Sequence, residues 1–178
     1  MKDNSEGKVF GYHLLVRPRG LLLKELEETV KVLAEEYDGP LFEPHVTLLS
    51  SMPFEDETLL IEKTAALAEE SKALQLTFGE IGMQDAYFRT LFLRVELSED
   101  LAKLRARAEQ VFDMENTDAF MPHLSLLYGN YPQTKKVATA ALITAYKGVS
   151  FDVDSILLYK TDGEPTTWRT IQEFKLPS

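Results

Sequence analysis

The sequence predicts a mixed α and β protein, α+β or α/β, in one compact body. Three observations carry this: helical and strand-like runs interleave from end to end, no Gly/Ser linker or low-complexity tract separates them, and one eight-residue segment occurs twice. Leu22, Leu26, Val30, Leu33 and Tyr37 recur at helical spacing until Asp38-Gly39-Pro40 breaks the pattern. A second helix is expected from about Asp56 to Glu70 and a third from Asp100 to Phe112 through Leu101, Leu104, Ala108 and Val111. A fourth runs from Pro132 to Tyr146, where Pro132 suits a first helical turn and Gly148 a stop. Strand-like runs fall between them at Phe10 to Val16, Phe42 to Leu49, Leu74 to Phe78, Tyr87 to Glu96, Met121 to Tyr128, Val149 to Tyr159 and Thr167 to Leu176.

With 178 residues, 44% of them hydrophobic, the chain is the size of one domain, or of two small lobes sharing a core. It has no run of eighteen apolar residues, and Met1-Lys2-Asp3-Asn4-Ser5-Glu6 lacks the zones of a secretory signal, so the cytoplasm is the expected location. The absence of cysteine excludes disulfides, thiol nucleophiles and cysteine-ligated zinc. The formal charge of −10 argues against long DNA or RNA as a partner, because such binding draws its affinity from a basic surface. A phosphate ligand is therefore expected to be small or terminal and held by local donors.

The repeat carries the chemistry. Phe42-Glu43-Pro44-His45-Val46-Thr47-Leu48-Leu49 matches Phe120-Met121-Pro122-His123-Leu124-Ser125-Leu126-Leu127 at five of eight positions, and Thr47/Ser125 and Val46/Leu124 preserve residue type. Side chains two apart on a strand share a face. His45 therefore lies beside Thr47 and His123 beside Ser125, with Phe42, Pro44, Val46 and Leu48, and Phe120, Pro122, Leu124 and Leu126, on the apolar backs. Two such fronts facing across a pseudo-two-fold cleft bring two imidazoles and two hydroxyls together. One imidazole can take a proton from water while the other gives one to a leaving oxygen, and the hydroxyls can donate to phosphate oxygens. A single His-x-Thr or His-x-Ser would more often be structural; two copies in the same context, using two of three histidines, favour a shared site. The third, His13, has no hydroxyl two residues on and reads as structural or rim-lining.

These paired strands resemble the two-histidine phosphoesterase superfamily. Phe-Glu-Pro-His-Val-Thr, Met-Pro-His-Leu-Ser-Leu-Leu-Tyr-Gly at 121 to 129 and Leu-Tyr-Lys-Thr-Asp at 158 to 162 look like its plant and yeast cyclic phosphodiesterases, over nearly the whole chain. The resemblance implies an α+β, bilobal fold spanning residues 1–178, with two facing antiparallel sheets, outer helices and a cleft between the lobes. It implies hydrolysis, without a metal or cofactor, of the ADP-ribose 1″,2″-cyclic phosphate made in tRNA splicing and of nucleoside 2′,3′-cyclic phosphates. His45 and His123 would be the catalytic pair, and Thr47 and Ser125 the phosphate ligands. Apart from the resemblance, the expected partner is a small cyclic phosphate and the expected state a monomer. Tyr128 matches a motif tyrosine that contacts phosphate, yet alternation puts it with Leu124 and Leu126; a strand ending or bulging after Leu126 would release it toward the cleft. Tyr12, Phe88 and Trp168 are candidate stacking platforms, and Arg89, Arg94, Lys160 and Arg169 candidate phosphate neighbours.

Other chemistries fit less well. An RNA-end enzyme of the same superfamily is expected to carry a basic track, which the composition does not favour. A binding module that kept the fold has no need of both intact His-hydroxyl pairs. A zinc site wants a third ligand near the histidines, and Ser125 lacks the Gly-x-Ser-x-Gly turn of a serine hydrolase.

Overall fold

Eight strands and four α-helices follow one another in a computed structural model that describes residues 7–52, 56–114 and 119–178. Met1–Glu6, where no secretory leader was read, lies outside the described residues. The strands are β1 (Val9–Val16), β2 (Val46–Met52), β3 (Leu74–Met83), β4 (Leu91–Val95), β5 (His123–Leu127), β6 (Ser150–Val153), β7 (Ser155–Gly163) and β8 (Arg169–Lys175). The helices are α1 (Gly20–Tyr37), α2 (Glu57–Glu69), α3 (Glu99–Val111) and α4 (Gln133–Leu142). Two helix starts are fixed by their caps: Asp56 accepts from the Thr58 and Leu59 amides, and Ser98 from Leu101 N–H at 3.2 Å.

All strand pairs are antiparallel, in the order β6-β3-β4-β5-β2-β1-β7-β8. The fold is α+β, and its two halves of four strands meet at a single bridge pair, Val46 opposite Leu124. The expected facing sheets are thus halves of one curled sheet, joined beside the two histidines. α1 lies against β5, α2 against β7 and β8, and α3 against β2 and β3. The backs of the motif strands, including Val46, Leu48, Leu124 and Leu126, are fully buried in the core.

The expected run from Val149 to Tyr159 is two strands. β6 pairs with β3 in one half, and β7 pairs with β1 and β8 in the other, so the chain crosses between halves at Asp154. Four other runs begin later than expected: Phe42 to His45 precede β2, Tyr87–Arg89 form a 3₁₀ turn ahead of β4, Met121 and Pro122 precede β5, and Pro165–Thr167 form a 3₁₀ turn ahead of β8.

Candidate functional site

A cleft of about 380 Å³ opens where the halves meet, within the usual range for small-ligand sites. His45, Thr47, His123, Ser125 and Tyr128 all line it. None of the described lining residues is Asp or Glu, although the chain carries 29 acidic residues. Arg89, Arg105 and three histidines line it instead, so an acidic protein presents a cleft suited to an anion.

The two motif histidines are held in the same way. His45 Nδ1 lies 2.6 Å from the carbonyl oxygen of Glu43, and His123 Nδ1 lies 2.9 Å from that of Met121, in each case two residues back. A carbonyl can only accept, so Nδ1 carries the proton and Nε2 is left with a free lone pair in each neutral ring. Burial is the main cause that lowers both rings below the ordinary histidine range, His45 to about 4, against the opposing pull of the carbonyl bonds. The charge of His123 adds to the lowering at His45, and Arg89 and Arg94 add to it at His123. Phe92, fully buried, sets its ring edge against His123 with centroids 5.1 Å apart. Gly82 makes room for that ring, since a Cβ there would meet Phe92 at 2.2 Å.

The hydroxyls are not equivalent. Ser125 Oγ donates to the Phe88 carbonyl at 3.0 Å. Thr47 has no side-chain hydrogen bond among the described residues. Tyr128 follows the end of β5 at Leu127, which frees it from strand alternation and turns it to the cleft. There it stacks on Phe42 at 3.7 Å and meets Phe88 at 5.1 Å and Trp168 at 6.1 Å. Its phenol is buried and pushed well above the usual tyrosine range.

The remaining candidates divide. Phe88, Trp168 and Arg89 line the cleft. Tyr12 is in the core with its hydroxyl on Glu57, and Lys160 lies over its ring. Arg94 faces His123 across the β4–β5 ladder but borders a different groove, and Arg169 is exposed on β8. His13 lines the cleft as a buried, neutral ring: Ser51 N–H donates to its Nδ1 at 3.3 Å, and its Nε2–H donates to Thr161 at 2.9 Å. Phe120, expected on the apolar back, lines the cleft because it precedes β5 and escapes the alternation.

Two contributors were missed from the sequence. Tyr159 on β7 lies 6.1 Å from the His45 ring. Arg105 reaches the cleft from α3, 93% buried, with its guanidinium 4.8 Å over Phe120, one nitrogen on the Leu48 carbonyl and Nε on Glu109 at 2.7 Å. The available signal was a charge on the apolar stripe Leu101, Leu104, Ala108.

A curled sheet whose halves pair one histidine each across a single bridge is the architecture of a two-histidine phosphoesterase. The chain belongs to the 2′-5′ RNA ligase superfamily, whose family model matches residues 23–165. It is 28% identical over 153 residues to a protein of Arabidopsis thaliana named cyclic phosphodiesterase, covering 82% of this chain and 83% of that one. Its fold is that of E. coli LigT, solved with 3′-AMP, at a TM-score of 0.65 and 14% identity, covering 95% of this chain and 99% of that one. It is also that of TT0787 of Thermus thermophilus, at a TM-score of 0.64 and 16% identity, covering 93% of this chain and 97% of that one. Among the described residues no helix is long and apolar enough to cross a membrane, and no cluster of three or more His, Cys, Asp or Glu could hold a metal ion.

Proposed function

We propose that the protein is a cyclic phosphodiesterase that works without a metal, with His45 and His123 as its general acid/base pair and Thr47, Ser125 and Tyr128 contacting the phosphate. The observation that carries this is the duplicated tether, which leaves each imidazole Nε2 without a hydrogen bond among the described residues, in a cleft with hydroxyls and no carboxylate among its described lining residues. One neutral ring takes a proton from water as the water oxygen bonds to phosphorus. The bond to one ring oxygen breaks, and the other ring, protonated, supplies that oxygen with its proton. Nucleoside 2′,3′-cyclic phosphates would thus give 2′-phosphates, and ADP-ribose 1″,2″-cyclic phosphate would give ADP-ribose 1″-phosphate. Burial keeps both rings neutral in the free cleft; the entering phosphate anion reverses that bias and supplies the reason for one to become charged.

The relative named cyclic phosphodiesterase supports the reaction class, and the acidic exterior supports a small substrate. The test is hydrolysis of these cyclic phosphates in EDTA by wild type, His45→Ala and His123→Ala. Turnover in chelator that gives 2′-phosphates and collapses in both variants is expected. Turnover that needs added metal, or that survives either substitution, would sink the mechanism.

A further inference from the structure

The bridge of Val46 to Leu124 gives the cleft two ends. Because β2 and β5 run antiparallel, the start of one motif lies beside the end of the other. Phe42 therefore lies beside Tyr128, and Phe120 lies toward Ser50, the residue that stands where Tyr128 stands in the second copy. Serine cannot fill the space a tyrosine fills, and at this end it is the Arg105 guanidinium that lies over the Phe120 ring, 4.8 Å from its centroid. Two of its five N–H groups are used, by Leu48 O and Glu109; the other three have no partner among the described residues. The side chains of Ser50 and Ser51, both exposed, also line this end, and neither hydroxyl has a hydrogen bond among the described residues.

We infer that the Arg105 end of the cleft is a second anion subsite, which takes a phosphate or diphosphate carried on the 5′ carbon of the ribose whose cyclic phosphate lies between the histidines. The inference rests on the proposed cyclic phosphodiesterase reading and follows from the substrate's own chemistry. In a ribose 2′,3′-cyclic phosphate the base leaves from C1′ and the 5′ group from C4′, on opposite sides of the cyclic diester. A base among Tyr128, Phe88 and Trp168 sends the 5′ group toward Arg105. A buried guanidinium with free N–H donors is well matched to phosphate oxygens.

The experiment compares kcat/KM for adenosine 2′,3′-cyclic phosphate with and without a 5′-phosphate, in EDTA, for wild type, Arg105→Lys, Arg105→Met, Ser50→Asp and Arg89→Gln. Wild type is expected to prefer the 5′-phosphorylated substrate by about tenfold or more, the effect of a hydrogen bond to a charged group. That ratio is expected to collapse in Arg105→Met, to persist in part in Arg105→Lys, and to invert in Ser50→Asp, which puts an anion at an exposed position and spares the buried Arg105 contacts. Equal use of both substrates by wild type overturns the subsite while leaving the two-histidine reading intact, and loss of the ratio in Arg89→Gln alone moves the anion away from Arg105 and overturns it too. No turnover of either substrate overturns the parent reading.

Discussion

At one end of the cleft Phe42 stacks on Tyr128 at 3.7 Å; at the other Phe120 faces a guanidinium at 4.8 Å. Both ends begin from the same motif, and both motifs tether their histidine to the carbonyl two residues back. A backbone feature is also shared, since Ser51, at an irregularity near the end of β2, and Gly129, each six residues past its histidine, both have positive φ, 54° and 135°. What differs is the residue before that position, Ser50 or Tyr128, and what lies beside it. Under the proposed function the symmetric part would supply proton transfer and the asymmetric part would distinguish the two sides of a substrate.

The sharpest way to break the symmetric half of that comparison is to remove either ring. His45→Ala and His123→Ala are each expected to lower kcat by about 10²- to 10⁴-fold, with unfolding temperature little changed because both side chains are only half-buried. A large loss in one variant and a small one in the other would mean that the pair does not divide the work.

The hydroxyls test the comparison at the next level. Thr47→Val removes a hydroxyl with no other partner among the described residues and is expected to cost about a hundredfold in kcat without loss of stability. Ser125→Ala is expected to cost a similar factor and, in addition, about 1 kcal/mol of stability, because the Phe88 carbonyl loses the Ser125 hydroxyl as a partner. Equal stabilities for the two variants, measured by denaturant unfolding, would show that the Ser125 network carries no weight in the fold.

How far this site could be read in advance depended on the kind of structure each residue occupies. Thr47, His123 and Ser125 were legible because they lie in strands, and His45 because it immediately precedes β2 and keeps the strand's alternation, where a period of two places side chains without tertiary knowledge. Tyr128 and Phe120 lie just beyond those strands, where the period lapses. Arg105 is 57 residues from the carbonyl it binds, so sequence could flag its misfit on an apolar helical stripe but not its destination. The strand-like run from Val149 to Tyr159, which carries no Gly or Pro to mark a break, concealed the crossing at Asp154, because both halves bury their strands on the same core.

Acid stability probes the polar end. Burial, with a smaller effect from His45, lowers His13 from 6.5 to about 4, so between those values the unfolded chain binds a proton that the folded chain does not. The sign follows: the stability tied to the neutral ring is complete above about pH 6.5 and is lost as pH falls through about 4, a change on the order of 3 kcal/mol for a group this buried. His13→Gln keeps an acceptor near the Ser51 amide and cannot titrate. Its unfolding free energy is expected to fall less steeply over this range than that of wild type, and parallel curves would place the acid sensitivity elsewhere.

The smallest expected effect lies at the aromatic end. Trp168 is half-buried, with its indole N–H on the Gly163 carbonyl at 3.0 Å and its ring 5.7 Å from Phe88, so its place does not depend on substrate. A preset ring of this kind gives a base a surface to stack on at little ordering cost. Trp168→Leu is expected to raise KM for adenosine 2′,3′-cyclic phosphate by about 3- to 10-fold with kcat nearly unchanged, because stacking is felt in ground and transition states alike. A fall in kcat at constant KM would mean that Trp168 acts on the histidine pair through Tyr128 rather than on the base. The two ends would then no longer divide the substrate between them, since the aromatic one would belong to the proton-transfer machinery.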